Sequence, residues 1–351
     1  MQRMIENLRI GPYAMRYSVF VPRLYNLCRS LGFERHRMLP SRAFCSDEGQ
    51  GYPVILIAQH FGTFPFDHGR VGGKVSINRH GPYANHGEDL VIIQASHVGY
   101  DADSGRFGVY MRERTDGCGF GSNCGKLAAV LHWYHDEYKA ARELIRFGRL
   151  DGEQVVYLDN QYLDDKRSEG LFPKLDLLVE GSSDPVRALA TSKAFRASKN
   201  LREHLGADQW RDESQALGEH LNADLFTFQR QLSRDPEEHD ILEQELLPAM
   251  PALVTSANPA LDAARFVTQV EFDRCYRSIL REPAYYGKNL LFISGVNIDV
   301  SPRSSFPFPL IKFVPWAAYA ALRDGRKFLL EQAERTTAKS AGGKSGSVVV
   351  R

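Results

Sequence analysis

Several features are scarce or absent in this chain, and each scarcity removes a class of function. Its 351 residues hold five cysteines, too few and odd in number for a disulfide framework. Thiols are therefore expected free, in a reducing compartment. No stretch reaches about 18 uninterrupted apolar residues, the length a membrane helix requires, so no transmembrane span is expected. Neither sign of charge prevails: Lys plus Arg number 44 against 43 Asp plus Glu. That balance argues against nucleic acid or a membrane surface as partner. The first residues, MQRMIENLRIGPYAMRYSVF, lack the apolar core of a signal peptide, and a cytoplasmic location is the expectation. There is no internal repeat. There is also no HExxH pattern: His132 and His135 stand three apart and read as surface or packing histidines.

What is present concentrates between Glu88 and Lys126. A short β-branched run, Leu90 to Ile93, has the composition of a buried strand. His97 follows it, then an Asp- and Gly-rich turn and a second strand-like segment, Arg106 to Arg114. A glycine-rich loop carrying Cys118 and Cys124 leads into a long helical pattern. Upstream, Cys45 sits in the polar stretch RAFCSDEG. Zinc is held by thiolates and neutral imidazoles, and a catalytic zinc keeps a position open for water. Cys45, His97 and Cys124, each flanked by a strand or helix, form such a set. Cys118 is an alternative to Cys124. Cys28 and Cys275 lie in helical apolar patterns and read as packing residues.

Asp47, two residues past Cys45, is placed to accept a hydrogen bond from a zinc-bound hydroxide, or else to serve as an Asx-turn residue. Arg112 and Arg114 are the cations proposed to hold it. The segment from His60 to Glu88 is rich in His, Gly and Phe. It reads either as a surface loop or as an active-site wall, with Phe61, Phe64 and Phe66 shaping an apolar pocket and His60 or His80 carrying a proton out.

Elsewhere the pattern predicts two short amphipathic helices over residues 3–31 and buried strands at Pro53–Ala58, Gln154–Leu158 and Asn289–Val300. It predicts helices at Leu127–Leu150, at Leu261–Leu280 and over 317–334, with a mostly helical, charged region from Pro185 to Leu253. The organisation expected is a single domain over 1–335. Within it, 1–40 are N-terminal helices, 41–180 the zinc-site core, and 185–335 a helical extension with a late strand. Residues 336–351 are expected to form a disordered tail.

The pieces Cys45-Ser46-Asp47-Glu48, Ser96-His97-Val98-Gly99, Gly105, Gly108 and Ser122-Asn123-Cys124-Gly125 resemble the limiting-CO2-inducible B/C family, the theta-type carbonic anhydrases. That family is similar to the β-carbonic anhydrases in fold and zinc site. The resemblance covers roughly residues 40 to 160. It implies zinc ligands Cys45, His97 and Cys124, with Asp47 as the acid beside them. It further implies an α/β fold with a central, largely parallel sheet flanked by helices, β-carbonic-anhydrase-like, and helical C-terminal additions. A homodimer is implied as well. One departure stands out: the arginine of the β-type C-x-D-x-R motif falls at position 49, which here is Gly49. Asp47 is then either paired from elsewhere or a zinc ligand that closes the site.

The function this points to is reversible hydration of CO2 to bicarbonate by zinc-bound hydroxide. Two rivals stand beside it. One is a zinc-dependent hydrolase of a larger substrate, and the other a non-enzymatic interaction protein whose zinc site is closed.

Overall fold

The computed structural model describes residues 8–75, 89–114, 117–122, 124–181, 184–232, 238–302 and 310–332. Their contacts divide the chain into two compact units, residues 1–128 with 260–351 and residues 129–259.

The first unit is built on an eight-stranded mixed sheet. Its elements in chain order are β1 (Met15–Arg16), α1 (Tyr17–Ser30), β2 (Met38–Phe44), α2 (Gly51–Phe61), β3 (Phe66–Asp67), β4 (Asp89–Asp101), β5 (Arg106–Phe107), β6 (Tyr110–Arg114) and β7 (Gly117–Gly121). The helix α3 (Gly125–Leu144) follows and runs on into the second unit. The last third of the chain returns α8 (Pro259–Arg281), β15 (Leu290–Val300), β16 (Leu310–Ala321) and β17 (Lys327–Glu331) to the first unit. Strands run in the order β1-β16-β15-β4-β2-β3. The inner run β15-β4-β2-β3 is parallel, and β16 closes one side antiparallel. The expected α/β fold with a largely parallel central sheet is the one observed.

The central position of β4 follows from its composition. A parallel strand covered on both faces reads as a continuous apolar run, and Leu90 to Ile93 are fully buried. Alternate side chains go to opposite faces. Val91 and Ile93 join Tyr17, Phe20 and Leu24 of α1 and Ile57 and Phe61 of α2. Leu90 and Ile92 join Phe272, Cys275 and Ile279 of α8. The result is a sheet sandwiched between helices.

The second unit continues from α3 through β8 (Arg146–Leu150), β9 (Glu153–Asp159), β10 (Gly170–Pro173), α4 (Leu175–Leu178), β11 (Arg187–Ala188), β12 (Ser192–Arg196), α5 (Lys199–Leu205), β13 (Gln215–Ala216), β14 (Phe226–Gln229), α6 (Glu238–Leu246) and α7 (Met250–Val254). A five-stranded antiparallel sheet, β11-β12-β9-β8-β13, is its largest element.

Four local expectations are corrected. Pro53–Ala58 lies within helix α2 rather than a strand. A six-residue apolar run fits either state. Here Pro53, Ile57 and Phe61 are buried at four-residue spacing, and Pro53 falls in the first turn, where its missing N–H costs nothing. The helix expected over 317–334 is not observed in its described part, residues 317–332. The alanine-rich end of β16 pairs with β15 and β17, so ladder bonding overrides helix propensity. The stretch 185–253 is mixed, with four short strands beside three helices. The helix expected over Leu127–Leu150 ends at Leu144, and Arg146–Leu150 form strand β8. Of the two helices expected over 3–31, α1 is observed with Pro22 inside it, and residues 3–7 lie outside the described residues. The tail from 336 onward lies outside the described residues.

Candidate metal centre

Three ligand atoms meet at the carboxyl edge of the parallel strands. Cys45 directly follows β2, His97 lies in the C-terminal half of β4, and Cys124 immediately precedes α3. All three side chains are buried, and their ligand atoms lie within 4.8 Å of one another. Tetrahedral zinc, with bonds of about 2.0–2.3 Å, spaces such atoms by roughly 3.5–3.8 Å. Small side-chain rotations therefore suffice to close on an ion.

Each ligand is held differently. Cys45 accepts a hydrogen bond from the Gly72 N–H at 3.2 Å. The loop carrying Gly72 lies close against the sheet edge, and its glycines make this possible. A Cβ on Gly69 would stand 1.9 Å from the Phe44 carbonyl oxygen, and one on Gly73 2.6 Å from that of Ala95. Cys124 has a left-handed backbone, φ 54°. This conformation costs a non-glycine residue about 1–3 kcal/mol, and such strain clusters at functional sites.

His97 is fixed by side chains the sequence reading did not single out. Its Nδ1–H donates to Asp299 Oδ2 at 2.7 Å. Gln50 Nε2 donates to both Asp299 oxygens, at 2.8 and 3.0 Å. Asn297 Nδ2 donates to Gln50 Oε1, and the Tyr17 hydroxyl to Asn297 Oδ1, each at 2.7 Å. All of these side chains are buried. An ionised carboxylate only accepts, so the chain of bonds permits one direction, and His97 must carry its proton on Nδ1. That leaves Nε2 as the nitrogen that faces the sulfurs, buried and without a hydrogen-bond partner, and the one whose lone pair a metal would take. A histidine whose far nitrogen is tied to a carboxylate is the usual arrangement at metals.

The electrostatics fit the same use. The Cys45 thiol is pushed down to about 4, chiefly by the hydrogen bond from Cys124, against its burial. Cys124 is correspondingly pushed up, first by that bond and then by burial. For His97 burial opposes the charged form, but Asp299 and the two sulfurs outweigh it and the pKa is raised. A thiolate, a second sulfur and an orphaned imidazole nitrogen make a donor set that fits a metal ion.

Of the remaining expected site residues, Asp47 caps the turn after Cys45, its Oδ1 accepting the Gly49 N–H at 2.8 Å. Its pKa is raised by desolvation, with His97 opposing. The metal cluster does not include it. Arg112 and Arg114 lie on β6, their side chains outside the described residues, as are that of Cys118 and the whole of His80. His60 sits on α2 with Nδ1 at 3.0 Å from its own helix's Leu56 carbonyl. The three phenylalanines do not form one pocket wall: Phe61 packs edge-on against Tyr25 in the core, and Phe64 is 71% exposed.

No protein-family model matches the sequence, and no curated protein does. Solved structures do. The crystal structure of PtLCIB4, a homolog of the limiting CO2-inducible protein LCIB, aligns with a TM-score of 0.54 at 12% identity, covering 94% of this chain and 99% of that one. A mutant of PtLCIB4 aligns at 0.55 and 13%, over 93% and 96%. The fold is LCIB-like. At such low identity the likeness concerns the LCIB-like fold alone. Within it, the Cys45, His97 and Cys124 cluster is a site able to bind a metal ion. No helix among the described residues is long and apolar enough to cross a membrane.

Proposed function

We propose that this chain is a zinc-dependent carbonic anhydrase that interconverts CO2 and bicarbonate. The observation that carries the proposal is the buried trio Cys45, His97 and Cys124, with Nε2 of His97 lacking any hydrogen bond while Nδ1 is tied to Asp299. The soft, sulfur-rich donor set favours zinc over the hard cations, which take oxygen ligands. Zinc held there would supply the Lewis acidity that lets water act as a nucleophile near neutral pH. The chain's own residues would do the rest. Asp299 keeps the lone pair of His97 aimed inward, and Asp47, half-buried beside the ligands, would accept a hydrogen bond from the reacting water. The structural neighbours are described as homologs of a limiting CO2-inducible protein, which is consistent with CO2 as substrate. The same reading includes a cytoplasmic homodimer, which sedimentation of the purified protein would check.

The test is zinc content and stopped-flow CO2 hydration on one sample, wild type beside His97→Ala. About one zinc per chain with hydration lost in the variant supports the proposal. Zinc without hydration in the wild type refutes the enzyme and favours a closed-site interaction protein. The motivating observation for that second reading is Gly49, standing where the β-type motif has arginine. Gly49→Arg restores a cation beside Asp47, and a gain of hydration in that variant would identify the missing charge as the cause of inactivity.

A further inference from the structure

The loop 69–75 presents the Gly72 N–H to Cys45. A short bridge between Gly69 and Val75 closes it on itself, and its backbone bonds internally from Arg70 N to the Lys74 carbonyl and from Gly73 N to the Arg70 carbonyl. What ties its far end down is a side chain of α8. Glu271, fully buried, accepts the Val75 N–H at 2.9 Å and stands 3.4 Å from Lys74 Nζ. Arg274, one turn on, pairs with Glu271 and also bonds the Val75 carbonyl. Both backbone groups of Val75 are thus held by one carboxylate–guanidinium pair. Gln94 of β4 donates to the Gly73 carbonyl at 3.3 Å from the other side.

Burying a carboxylate among apolar side chains is costly unless it is paired and hydrogen-bonded. The neighbours of Glu271 on α8, Val267, Phe272 and Cys275, are core residues. An apolar residue there would complete the packing at no such cost but would leave Val75 N–H without its acceptor. The same face of α8 holds β4 next to His97, Ser96 Oγ donating to the Ala264 carbonyl at 2.6 Å, and holds β15 beside it, Thr268 Oγ1 donating to the Gly295 carbonyl at 3.1 Å. One helix therefore indexes both the strand bearing His97 and the loop that touches Cys45.

We infer that Glu271 is a positioning residue for the metal centre: with Lys74 and Arg274 it locks the loop 69–75 so that the Gly72 N–H is held on the Cys45 sulfur. The inference rests on the metal-binding reading of the Cys45, His97 and Cys124 cluster. An N–H directed at a thiolate takes up part of its charge and sets how strongly it binds a cation. Removing such outer support costs metal sites about 10- to 100-fold in affinity.

The experiment compares wild type, Glu271→Gln, Glu271→Asp and Lys74→Met in the full chain. Zinc affinity is measured by chelator competition, the thiolate-to-metal charge-transfer band with Co(II) as probe, and alkylation of Cys45 and Cys124 in the metal-free protein by mass spectrometry. The expected result is about a tenfold loss of zinc affinity in Glu271→Gln, a displaced Co(II) band, and faster alkylation at Cys45 with Cys124 unchanged. Glu271→Asp recovers part of the loss, and Lys74→Met, which keeps the carboxylate, gives a smaller change of the same sign. A Glu271→Gln protein that loses thermal stability but keeps wild-type affinity and band overturns the inference. Should Glu271→Gln not fold, a Lys74→Met protein identical to wild type in all three readouts does the same. Wild type without zinc affinity would sink the metal reading itself. Alkylation then decides the loop alone, and equal rates at Cys45 in wild type and variants refute its locking by Glu271.

Discussion

Four described cysteines of this protein are buried, yet two pack in the core while two share a cluster in which one thiol, that of Cys45, is driven the opposite way from the other three. Cys28 on α1 and Cys275 on α8 sit among aromatic and aliphatic side chains, and burial pushes both thiols far up. Cys45 is as hidden from solvent as these, but its thiol is driven down to about 4 by hydrogen bonding from Cys124 and by His97. The difference teaches that burial by itself makes a cysteine inert. Donors aimed at the sulfur let a buried one ionise, as binding a metal would require. In the apolar helices burial outweighs what donors there are. The carboxyl edge of the parallel strands supplies such donors, because the chain turns there and leaves N–H groups and loop side chains without ladder partners.

The sharpest way to break this comparison is to remove members of each pair in turn. Cys45→Ala, His97→Ala and Cys124→Ala should each take zinc content from about one per chain to none, measured by atomic absorption. Cys28→Ala and Cys275→Ala should keep it whole, as should Cys118→Ala. Zinc loss in Cys118→Ala with retention in Cys124→Ala would reverse the ligand assignment.

A smaller effect is expected from Asp299→Asn, which frees His97 to choose the wrong tautomer. Zinc affinity should fall by about 10- to 100-fold with little change in fold, as read by chelator competition and circular dichroism. The pH dependence of metal binding sharpens the contrast further. His97 and Cys124, both raised, carry protons that a metal must displace, so affinity should climb with pH across the neutral range. Each displaced proton contributes about tenfold per pH unit until its group's pKa is passed. Cys45, already ionised above about 4, adds dependence only in acid. A pH-independent affinity between 6 and 8, measured on the order of these two pH units, would contradict the shared-proton picture. The least effect is expected at the packing pair: Cys275→Ala should lower stability by about 1 kcal/mol in urea titration and leave metal affinity untouched.

Much of the candidate cluster could be read in one dimension, since Cys45, His97 and Cys124 stand in turn-rich or strand-end surroundings where packing is a poor explanation for them. Their supports could not. Asp299 and Asn297 look like interruptions of an apolar strand, and only the parallel register that sets Asn297 opposite His97 gives them meaning. A hint was present, because both point to one face of β15 at two-residue spacing. Glu271 is hidden more deeply, as one carboxylate in a helix with many charges. The strand mistaken at Pro53–Ala58 and the helix mistaken at 317–334 fail for a related reason. Short apolar and alanine-rich runs suit either state, and the neighbour that pairs with them decides.

By itself the sequence determined the central strand that is buried on both faces and which residues are able to hold a soft metal. Those properties belong to side chains and to local spacing. Which nitrogen of His97 faces the sulfurs, which cysteine keeps the proton, and what holds the loop against Cys45 were decided only by tertiary structure. Each depends on groups far apart in sequence, such as His97 and Asp299, separated by 202 residues, or Gln50 and Asp299, separated by 249. Only the folded sheet brings such groups within hydrogen-bonding distance, and there the low dielectric of the interior lets one carboxylate fix a proton's place.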